Sequence, residues 1–135
     1  MKRNILIVIT LSAGLIAATV PVMAHHAVSA EFDSKKPIKF TGTVKSVDWM
    51  NPHIYVHIES TDEDGKVTMY SVEGGPPNSL FRNGWRKDSL KPGDVVQVSG
   101  SRAKKAESNR VNGQIVMPDG RVFARGNAAG GASQQ

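Results

Sequence analysis

Four histidines carry the ligand chemistry of this 135-residue chain. His25 and His26 are adjacent, while His53 and His57 follow the dipeptide Asn51-Pro52. The chain has no Cys and no Gly-x-Ser-x-Gly elbow, and its Ser, His and Asp residues stand in no triad context. Imidazoles without a thiol or an activated hydroxyl suit nitrogen ligation of a metal ion better than nucleophilic attack.

The metal expectation begins with processing. Lys2 and Arg3 precede an apolar run over residues 5–20, which Pro21 breaks before Val22-Met23-Ala24. A basic start, an apolar stretch and small residues at its end form an export signal, with cleavage expected after Ala24. The run is shorter than the roughly 20 residues a bilayer core requires, so no stable membrane anchor is expected once it is cut. Cleavage would make His25 the amino terminus. Its α-amine, with a pKa of about 7.7–8.0, and its ring Nδ1 could then chelate one ion. Nitrogen donors in a tetragonal arrangement favour Cu(II), although zinc could use the same atoms. His26 and one barrel imidazole would assist.

Spacing limits which imidazole that is. On a regular strand His53 and His57 stand about 13 Å apart, at roughly 3.3 Å per residue. Ligand bonds of about 2.0–2.1 Å do not let two such side chains share one ion. His53, at the turn, is therefore the expected third donor, with His57 either supporting it or simply exposed on a strand. The metal-ligating set is thus His25, His26, His53 and His57, with copper as the cofactor this chemistry favours. A histidine-first mature chain resembles the histidine brace of exported copper proteins and lytic monooxygenases, in that terminal residue and the further imidazoles alone. The ordinary alternative is that signal cleavage happens to fall before two histidines and that strand histidines face solvent.

Other chemistries find less support. Asp62, Glu63 and Asp64 crowd a hairpin loop and look solvated rather than paired for acid–base work. Gly74-Gly75-Pro76-Pro77 lacks the Lys-Ser/Thr of a phosphate loop. Trp49, Tyr55 and Trp85 could stack on a base or a sugar, but core packing explains both tryptophans more simply. The net charge is +5, and loss of Lys2 and Arg3 would leave 15 basic against 12 acidic side chains, a net +3. These charges are interspersed, without the basic stripe of a nucleic-acid binder, so no nucleic acid is expected as a partner. Binding is expected rather than catalysis.

The elements that must position these residues are strands. Ile38, Phe40, Gly42 and Val44 alternate with polar residues, and the apolar phase then slips to Val47 and Trp49. Such a slip predicts a β-bulge in a strand bent to serve two sides of a barrel. After Asn51-Pro52, Ile54, Val56 and Ile58 point inward, which places His53, Tyr55, His57 and Glu59 on the opposite face. A Gly65 hairpin leads to a third strand over residues 66–72. A short helix through Leu80 and Phe81 follows, with Asn78 or Ser79 as its cap and Gly84 ending it. Trp85 and Leu90 should plug the barrel, and Met50 is expected to fill a gap. Strands around Val96 and from Val111 to Met117 complete the set. Three strands, a helix and two strands predict a mostly β fold: a small OB-like five-stranded barrel with one short helix, an SH3-like barrel being the alternative.

The expected organisation is a cleaved signal at residues 1–24, an irregular amino-terminal arm at 25–36, the barrel at 37–125 and a disordered tail at 126–135. Without Cys the barrel has no disulfide and relies on its core.

The residues also carry a family likeness. His25-His26, Glu31-Phe32-Asp33, Gly42-Thr43-Val44, Trp49-Met50-Asn51-Pro52-His53, Leu90-Lys91-Pro92-Gly93-Asp94 and Met117-Pro118-Asp119-Gly120 together resemble an uncharacterised family of short exported bacterial proteins. The resemblance covers most of the mature chain, with Asn-Pro-His its most distinctive part. It implies an exported small β-barrel and brings no assigned activity or site residues. The functional expectation is therefore a periplasmic binding module, with copper bound through a mature His25. The alternative is a metal-independent domain that holds an unidentified protein or other envelope partner.

Overall fold

Alternating side chains become buried and exposed ones along the first strand. The computed structural model describes residues 28–124. The expected signal, His25, His26 and the tail at 126–135 lie outside the described residues. The chain divides into two compact units between Glu31 and Phe32. In the first, residues 28–31 are helical. Everything that follows belongs to the second.

Strand β1 (Phe32–Asp48) buries Ile38, Gly42 and Val44 and turns Lys39, Thr41 and Lys45 outward. Its register to the next strand shifts between Val44 and Ser46, where the apolar phase slips. Extended pairing begins at Phe32, opposite Ala103, five residues before Pro37. Residues 33–36 are polar, and a second register shift separates Phe32 from Pro37, so no alternation announces this part of the strand. Bending at the Val44–Ser46 bulge lets one strand serve two neighbours. Its earlier part pairs antiparallel with β4 (Val95–Ala103), and Thr43 to Asp48 pair with β2 (Tyr55–Thr61).

Strand β3 (Val67–Glu73) lies antiparallel to β2 throughout, from Tyr55 opposite Glu73 to Thr61 opposite Val67. The hairpin between them turns at Gly65, whose φ of +81° suits the residue without a Cβ. Strand β5 (Arg110–Val116) pairs with β4 and closes the sheet through a short parallel contact with β3, at Ser71–Arg110 and Val72–Val111. The cyclic order β1-β2-β3-β5-β4, with a helix between β3 and β4, is that of an OB-type barrel rather than an SH3-like one. A sixth strand, β6 (Val122–Ala124), is added beyond the five expected. It folds back on β5 through a turn in which Met117 N–H donates to the Arg121 carbonyl at 2.9 Å.

Val44, Ile54, Val56, Ile58, Val98, Val111 and Ile115 are fully buried, and Phe123 is nearly so. Each such aliphatic side chain removed from water stabilises the fold by about 1.5–3 kcal/mol. The helix α1 (Pro77–Arg82) adds Leu80 to this core, and Trp85 and Leu90 join it as expected. Trp85 meets Phe123 edge to face at 5.1 Å. The helix starts differently from the expectation. Pro77 occupies its first turn and no side chain caps it, so neither Asn78 nor Ser79 plays that part. Proline at this position needs no amide partner and already has a helical φ. A 3-10 turn (Ala106–Ser108) joins β4 to β5. No helix among the described residues is long and apolar enough to cross a membrane.

Candidate functional site

The corner around Pro52 is built by the ends of three strands. β1 finishes at Asp48, the Asn51–Pro52 peptide is cis, and β2 begins at Tyr55. Beyond the end of the ladder, Gly74 N–H donates to the Ile54 carbonyl at 2.7 Å, and Ile54 N–H to the Gly75 carbonyl at 3.3 Å. These bonds hold residue 53 beside Glu73. Gly74 is required by packing: a Cβ there would stand 2.6 Å from Cζ of Phe123. The core ring thus lies directly against the backbone that carries the corner.

Ile54, Val56 and Ile58 point inward, so β2 presents Tyr55 and His57 on its other face. Glu73, opposite Tyr55, shares that face yet is only 4% exposed. Its two carboxylate oxygens are engaged separately. His53 Nδ1 lies 2.6 Å from Oε1, and Arg110 Nη2 donates to Oε2 at 3.0 Å. An ionised carboxylate only accepts, so the contact places the proton of His53 on Nδ1. His53 Nε2, on a ring 29% exposed, has no partner among the described residues and is the nitrogen left for a ligand. The Arg110 guanidinium also lies 5.6 Å from the centre of the Tyr55 ring and 5.8 Å from that of Phe32. A carboxylate buried this deeply persists because both oxygens are matched by donors. Among the described residues no buried side-chain polar atom lacks a partner.

His57 takes a different carboxylate. Its Nε2 lies 2.7 Å from Oδ2 of Asp48, across the β1–β2 pairing, and both side chains are partly exposed. The two barrel histidines therefore belong to two separate pairs, as the spacing argument requires. Among the described residues no group of three or more His, Asp or Glu side chains is placed to hold a metal ion. His25 and His26 lie outside the described residues.

One expectation is corrected here: Met50 fills no gap, being 51% exposed. Trp85 is in the core and Trp49 packs against it, as the core-packing reading of both tryptophans expected. Glu73 and Arg110, which organise the corner, were not anticipated. The one available signal was an acidic residue ending an apolar alternation directly before Gly74-Gly75, a place where a solvated Glu has no need to be. Arg110 offers no such cue, because its partner is 37 residues away in sequence.

Residues 13–112 match one protein-family model. The chain belongs to the Family of unknown function DUF6152. No curated protein and no solved structure matches it. The DUF6152 match includes all four histidines together with Glu73 and Arg110, and it stops before β6. Membership in an uncharacterised family agrees with the likeness drawn from the motifs, and it assigns no role to any residue of this DUF6152 chain.

Proposed function

We propose that this chain is an exported binding module whose working surface is the Pro52 corner, acting in the bacterial periplasm after cleavage behind Ala24. The observation that carries the reading is the orientation of His53. Its Nδ1 is committed to a buried carboxylate that Arg110 holds in turn, and its Nε2 is turned over to an incoming group. A histidine whose second nitrogen is tied to a carboxylate has a set tautomer and a more basic ligand nitrogen, the usual support for metal ligation. In its finer form the proposal names one copper ion, bound through the amine and ring of a mature His25, with His26 assisting and His53 as a candidate further donor. Its support is the chemistry of a terminal histidine and the choice of nitrogen at His53.

The test starts with the terminus. Amino-terminal sequencing of the exported chain should read His25-His26. Titration of that product with Cu(II) should give tight one-to-one binding, weakened tenfold or more by one residue added before His25. Equal affinity with and without the added residue removes the copper reading. His53→Ala separately measures whether the barrel imidazole takes part.

A second reading rests on a different observation. β3 meets β5 at Ser71 and Val72, so among the described residues its stretch from Val67 to Met69 has an unpaired edge, with both named side chains exposed. Such an edge can accept a strand from an envelope protein. Under this reading, replacing all four histidines leaves partner capture intact while Val67→Lys with Met69→Lys abolishes it.

A further inference from the structure

A second concavity lies where β4 ends and β5 begins. Lys36, Tyr70, Arg102, Lys105, Asn109 and Arg110 line a recess of about 80 Å³. That exceeds the roughly 10–15 Å³ one water needs. Four cationic side chains face it, and no carboxylate among the described residues lines it. Arg110 is already engaged by Glu73. Lys36, Arg102 and Lys105 form no ion pair among the described residues. Bringing like charges around one recess is unfavourable until an anion joins them. The recess also has a fixed wall. Tyr70 stacks on Phe40 with ring centres 4.4 Å apart, and the Arg102 guanidinium lies 5.9 Å from the Tyr70 ring.

We propose that this recess binds a phosphate monoester group. A single carboxylate would leave most of the local positive charge unmatched, whereas a phosphate monoester carries about −1.5 to −2 at neutral pH and three acceptor oxygens. Arg102 offers a planar fork suited to two of those oxygens, and the lysines act as point charges around them. The Tyr70 hydroxyl adds a neutral donor. The inference depends on no metal and shares with the Pro52 corner only Arg110.

The experiment uses the full chain with EDTA present, so that copper plays no part. Inorganic phosphate and glycerol phosphate are titrated by calorimetry, and vesicles of phosphatidylcholine with and without phosphatidic acid by co-sedimentation. Saturable phosphate binding, weakened about tenfold by Arg102→Gln and further by Lys36→Gln with Lys105→Gln, supports the site. The substituted side chains are exposed, and circular dichroism verifies that the variants fold. Vesicle binding that free phosphate displaces assigns the group to a lipid headgroup, and phosphate binding without vesicle binding assigns it to a soluble ester. Arg110 is shared with the corner through Glu73, so the control is His57→Ala, whose partner is Asp48 and which should leave these affinities unchanged. Absence of saturation by either probe overturns the proposal, as does an equal response to chloride or an affinity indifferent to Arg102→Gln.

Discussion

The two barrel histidines make nearly the same contact in different surroundings. His53 reaches its carboxylate at 2.6 Å and His57 at 2.7 Å, and the two rings are similarly exposed, at 29% and 31%. Their partners are not alike. Glu73 is 4% exposed and also holds Arg110, whereas Asp48 is 44% exposed and holds His57. Distance alone would rank the two pairs as equals. Burial separates them, because water competes for Asp48 and is largely shut out from Glu73. One pair therefore fixes the architecture of a corner, and the other decorates a strand.

That contrast can be broken by substitution. Glu73→Ala takes the carboxylate from both His53 and Arg110 and should cost about 3–5 kcal/mol, read as a lowered urea midpoint. His53→Ala leaves Glu73 with Arg110 and should cost about 1–2 kcal/mol. His57→Ala should cost only about 0.2–1 kcal/mol, since its pair is half in water. Double-mutant cycles sharpen the comparison, with a larger coupling expected for His53–Glu73 than for His57–Asp48. If Glu73→Ala proves no more costly than His57→Ala, burial is not what distinguishes them.

Much of the fold was legible in the residues because its signals are local. The phase slip after Val44 marks the bulge, and Ile54, Val56 and Ile58 mark an inward face that left His53 and His57 to the other side. The short helix was legible from Leu80 and Gly84, but its start was not, since Pro76 stands at the cap position and Pro77 opens the first turn with no side-chain cap. The candidate site was half legible. His53 stood out by its type and its proline, whereas Glu73 and Arg110 acquire their meaning only when β3 and β5 come together. A pairing between residues so far apart leaves no periodicity in either segment. Strand β6 escaped for a related reason: three residues are too few for an alternation to show.

Phe123 leads the fully buried side chains in volume, and its ring rests against Gly74 from the last described strand. β1 likewise waits for β4 before its first half has a neighbour. A chain emerging amino end first therefore passes most of its length through the exit with its interior unfilled and the sheet still open. Contacts between such distant segments form late and slow the search for the native state. The interior is filled only when the last described strand docks, so closure of the core waits on residues that lie far from Gly74 in sequence.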